Sequence, residues 1–106
     1  MSLRMLQTLS TAQPGEAALN LLDVELAAEK AVNLGRLGRT VETTLAALAT
    51  TGDAGPEHRE TLVLAASAAV WRYFVQREMC GALDHREAIV LYGIPPEVLA
   101  RLGSAR

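Results

Sequence analysis

Apolar residues in the first half of the chain recur at helical rather than strand spacing. Leu19, Leu22, Leu26, Leu34, Leu37, Val41, Leu45 and Leu48 share one broad face at 3.6 residues per turn, which predicts a helix from about Glu16 to Thr50. A second stripe of Ala28, Ala31, Gly35, Gly38, Ala46 and Ala49, with Val24 above it, lies roughly opposite. Glycine inside a helix costs about 1 kcal/mol relative to alanine, so Gly35 and Gly38 need a reason. Either another helix backbone approaches closely there, or Gly35-Arg36-Leu37-Gly38 is a break between two shorter helices. Leu21, Val24 and Val32 add apolar surface away from the leucine face. A helix with two apolar sides in so small a chain predicts a partner, and the simplest one is a second copy packed through this helix.

Thr51-Gly52-Asp53-Ala54-Gly55-Pro56 reads as a loop. Pro56 suits the first turn of a second helix running from about Glu57 to Cys80, with Gly81 as its stop. Its centre, Leu62 to Val75, is apolar almost all round, which places this helix in the middle of a bundle. Asp84 opens a third helix, and Glu87 completes an Asp-x-x-Glu capping arrangement. Gly93 ends that helix, and Pro96 starts a last short one over Glu97–Leu102. Residues 1–14, with Ser10, Thr11, Gln13 and Pro14, read as an irregular arm. The expectation is an all-α fold in one domain: a small helical bundle with a long first helix, a buried central helix and two short C-terminal helices.

Composition narrows the function classes. The 106 residues are half apolar, with a net charge of −2 and no block of basic residues of the kind that nucleic-acid binding leaves. A helix-turn-helix over residues 84–103 is the one nucleic-acid pattern present. Against it, the second helix is short, begins with Glu97, and carries no surplus of arginine. Lone Cys80 suits a reducing cytoplasm, and no run is apolar and long enough to span a bilayer or to act as a signal peptide, so a soluble protein is expected. The excess of Arg over Lys, with abundant Ala, points to a GC-rich bacterial genome.

Groups that could carry chemistry are few. His58, His85 and Cys80 lack metal-ligand spacing, no phosphate loop or nucleophile motif is present, and no cofactor is implied. Cys80, at a helix C-terminus, reads as a buried or half-buried structural residue. Arg72 lies within the most apolar helix, where a charge is costly unless it is paired or reaches water along its stem, and Glu29, Glu42 or Glu78 could supply a partner. Arg72, Arg77, Glu78, His85 and Tyr92 together form the candidate cluster, either a structural ion-pair group or a ligand or enzymatic site. The leading expectation is a non-enzymatic interaction or oligomerisation module.

Several motifs match a known pattern. Leu34-Gly35-Arg36-Leu37-Gly38-Arg39, Trp71 with Phe74-Val75-Gln76-Arg77-Glu78, Gly81, and Tyr92-Gly93-Ile94-Pro95 with Glu97-Val98-Leu99 resemble a family of small uncharacterised bacterial helical proteins. The resemblance covers the chain from about residue 17. It implies a self-contained bacterial helical protein and no particular activity, cofactor or site residue.

Overall fold

The computed structural model describes residues 14–52 and 54–103. Most of the expected N-terminal arm lies outside those residues. Four helices follow one another: α1 (Pro14–Ala49), α2 (Pro56–Met79), α3 (Arg86–Tyr92) and α4 (Pro96–Leu99). No strand occurs among the described residues, and the all-α expectation holds. Gly35-Arg36-Leu37-Gly38 does not break α1, which runs through it.

The chain divides into two compact units, residues 1–31 and 32–106. The described part of the first unit is helix throughout, with Leu19, Leu21, Leu22, Val24 and Leu26 all at least half exposed. The second unit holds the core. Val41 and Leu48 of α1 meet Val63, Ala66, Ala69, Val70, Tyr73 and Phe74 of α2, together with Ala88, Ile94 and Val98. The leucine face of α1 therefore enters the core only from Leu34 onward, through Leu34, Leu37 and Leu45.

The helix ends follow from local chemistry. Gly55, at φ 102°, precedes Pro56, whose fixed φ suits a first helical position. At the other end of α2 the chain enters the left-handed region at Gly81, φ 94°. The Gly81 N–H donates to the Glu78 carbonyl (3.0 Å) and the Ala82 N–H to the Arg77 carbonyl (2.9 Å). These two bonds make a Schellman stop and use carbonyls that would otherwise lack partners. Gly93 repeats the device after α3, with its own N–H bonded to Val90 and that of Ile94 to Ile89.

The start of α3 departs from expectation. The helix begins at Arg86, and the Asp84 carboxylate accepts the Arg86 N–H two residues on (3.0 Å) rather than a donor three residues on. Asp84 thus closes a short side-chain turn and not a reciprocal capping box. The Arg86 guanidinium grips the same carboxylate from Nε and Nη2, at 3.0 and 2.7 Å, which holds the Asp84 carboxyl below its usual range.

Helix α4 is a single turn, and it and the residues just after it are tied to the N-terminal half of α2. Arg59 pairs with Glu97 and Arg101 with Glu60. All four side chains are partly exposed, so each pair contributes no more than about 1 kcal/mol. Burial of Val98 contributes more, roughly 1.5–3 kcal/mol. Deep in the core the Ser67 hydroxyl donates to the Val98 carbonyl at 3.0 Å, so the buried polar group on α2 is satisfied by α4. Ser67→Ala should lower unfolding stability by about 1 kcal/mol without changing helix content, read by urea denaturation. A variant as stable as the parent would show that this bond contributes nothing.

Candidate functional site

Because the Gly81 turn reverses the chain, residues 84 and 85 come back against the last turns of α2. Phe74, Arg77 and Glu78 occupy neighbouring positions on one side of that helix. The His85 ring stacks on Phe74, with centroids 4.1 Å apart and planes 2° from parallel. Arg77 Nε donates to His85 Nδ1 at 3.1 Å, and its Nη2 donates to the Asp84 carbonyl at 2.9 Å. A ring nitrogen that accepts from a guanidinium must present its lone pair, so the imidazole proton sits on Nε2. There it donates to Glu78 Oε2 at 2.8 Å. The network thereby assigns the tautomer.

Three of the five expected cluster residues, Arg77, Glu78 and His85, are thus brought together. Tyr92 meets them only by way of Tyr73. The Arg77 guanidinium lies 5.9 Å from the Tyr73 ring centre, and Tyr92 packs edge-on against Tyr73 at 5.2 Å. A hydrogen bond with Tyr73, reinforced by burial and by the Glu42 charge, pushes the Tyr92 phenol up to about 12. Arg72 is elsewhere. It is exposed, on an outer strip of α2 with Thr61, Ala65 and Met79, so the buried ion pair expected for it does not form. Alanine and methionine on that strip make a solvent-facing surface look like core in the sequence. Cys80 is likewise exposed rather than buried, and its sulfur lies 4.0 Å from Gln76 Nε2.

Phe74 was missed as a member of the cluster. The available signal was its position three residues before Arg77, on the face to which a turn at Gly81 returns the chain.

The arrangement is a clasp. General acid–base work needs a ring nitrogen that can reach substrate, and both nitrogens of His85 are engaged within the protein. Tyr92 borders an open groove of about 690 Å³ with Glu42, Leu45, Ala46, Pro95 and Glu97, and neither Arg72, Arg77, Glu78 nor His85 reaches it. A separate hollow of about 570 Å³ has Arg77 and Arg86 beside Val90 and Leu91. Among the described residues, no three His, Cys, Asp or Glu side chains are grouped to hold a metal ion. The α3–Gly93–α4 stretch does place two helices in succession, but the second is four residues long.

The model of a family of unknown function, DUF6665, matches residues 1–106. The chain belongs to that family. No curated protein and no solved structure matches it. Among the described residues of this DUF6665 member, no helix is long and apolar enough to cross a membrane.

The Tyr73–Tyr92 contact has a pH signature. Because the Tyr92 value is raised on folding, from an ordinary 10.0 to about 12, the native state keeps a proton that the unfolded chain loses first. Its contribution to stability is full below pH 10 and is lost as pH rises through about 12. In Tyr73→Phe, Tyr92 is the sole tyrosine, and its tyrosinate absorbance should appear at clearly lower pH than about 12. An unchanged midpoint would remove Tyr73 as the cause.

Proposed function

We propose that this protein is a non-enzymatic interaction module that forms a homodimer through α1. The supporting observation is the run of large apolar side chains left in solvent along that helix. Leu21, Val24 and Val32 are 58%, 62% and 71% exposed, and Leu19, Leu22 and Leu26 accompany them on a neighbouring face. Burying such a side chain is worth roughly 1.5–3 kcal/mol, so a helix that leaves six of them in water has a strong driving force for association. The side chains with acid–base potential are instead engaged with one another at the α2–α3 junction. An exposed single thiol and the Arg-rich, Ala-rich composition suit the cytoplasm of a bacterial cell.

Light scattering at tens of micromolar should return twice the 11.3 kDa chain mass. The double variant Leu21→Glu, Val24→Glu should return the single mass with its helix content retained. A parent protein that is monomeric at that concentration would overturn the proposal.

A further inference from the structure

The open groove of about 690 Å³ is separate from the clasp, and every residue lining it belongs to the second unit. Its size falls in the range of small-molecule sites, which are mostly apolar with a few placed polar groups. On the α1 side it is lined by Glu42, Leu45, Ala46 and Ala49, which recur every three or four residues and so share one face. Ala46 and Ala49 leave that side low, and Gly93 likewise has no side chain to fill the space. Leu91, Tyr92 and Pro95 supply further apolar surface. From Glu42 to Ala49 the helix advances seven residues, about 10 Å.

Charge in the groove is unbalanced. Its lining holds two carboxylates, Glu42 and Glu97, and one guanidinium, Arg59, which pairs with Glu97. Among the described residues no ion pair joins Glu42 to a cation. Cations elsewhere in the unit are turned away or engaged. Arg39, three residues before Glu42, points back along α1, with Nη1 3.6 Å from where a Cβ on Gly35 would stand. That position is about 10 Å along the helix from Glu42. Arg77 is bound to His85 and to the Asp84 carbonyl, and Arg101 pairs with Glu60. The hydrogen bond with Tyr73 and burial raise the Tyr92 phenol most, and the Glu42 charge adds to them, so its field reaches the Tyr92 side of the groove.

We propose that this groove binds a small organic monocation, an ammonium group on an apolar body about 10 Å long. The ammonium sits at Glu42, and the body lies along Ala46 and Ala49 against Tyr92 and Pro95. An anion would be repelled by Glu42, and a neutral chain would gain apolar contact alone. The site does not depend on the self-association proposed above.

Octylammonium, 1-octanol and octanoate test it, each below its micelle concentration, titrated into isotope-labelled full-length protein at neutral pH and low salt. Octylammonium should give saturable NMR shifts at the Ala46 and Ala49 amides. Its affinity should exceed that of 1-octanol about fivefold, the scale of one partly exposed ion pair, and octanoate should bind most weakly. In Glu42→Gln the ammonium and the alcohol should bind alike, and in Ala46→Phe neither should bind. Both positions are exposed, so each variant should keep the helix content of the parent. Equal binding of ammonium and alcohol to the parent, or a preference that survives Glu42→Gln, would overturn the cation assignment. Shifts centred elsewhere, binding undiminished by Ala46→Phe, or no saturation with any probe would overturn the groove as a site.

Discussion

The second unit of this protein is organised around the absence of one side chain. At Gly38, α1 presents bare backbone to two tyrosines that belong to different helices. A Cβ there would stand 2.6 Å from the Tyr92 hydroxyl and 3.5 Å from Tyr73. Tyr73 comes from the core face of α2 and Tyr92 from the last turn of α3, so one gap lets both rings close against α1. The cost of a glycine inside a helix is about 1 kcal/mol, which the edge-on ring pair and its apolar area can offset. The ring pair in turn lies beside Arg77, whose guanidinium holds His85 and the Asp84 carbonyl. Packing and hydrogen bonding thus join α1, α2 and α3 through one short chain of contacts.

Much of the architecture was legible because it depends on local chemistry. Pro56 and Pro96 begin helices, and Gly81 and Gly93 end them through left-handed residues that other side chains adopt only with strain. What was not legible depended on tertiary choice. Arg72 looked buried because Ala65, Val75 and Met79 around it are apolar, yet these residues form the solvent side of α2. Alanine carries too little apolar area for its exposure to cost much, so an alanine-rich surface mimics a core. Gly38 was grouped with Gly35 as one small-residue stripe, although the two glycines face different surroundings: tyrosines in one case, open space in the other.

The candidate cluster shows the same division. The helix stop at Gly81 and the short return after it bring His85 back to Arg77 and Glu78. That they would satisfy one another, with Phe74 as a platform, depended on distances that no spacing rule provides. With both imidazole nitrogens engaged internally, the cluster fastens the start of α3 to the end of α2. Large apolar side chains stand in solvent along α1 and also on α3, where Val90 and Leu91 are exposed.

That the Tyr92 hydroxyl needs the space left open at Gly38 can be put to a double-mutant cycle in urea denaturation. Gly38→Ala should cost about 1–3 kcal/mol, because the new methyl group strikes a ring held by Tyr73. In a Tyr92→Phe background, where the hydroxyl is gone and the remaining contacts are at ordinary van der Waals distance, the same substitution should be neutral or stabilising. A Gly38→Ala protein as stable as the parent, or an equal loss in both backgrounds, would show that the hydroxyl does not depend on that space.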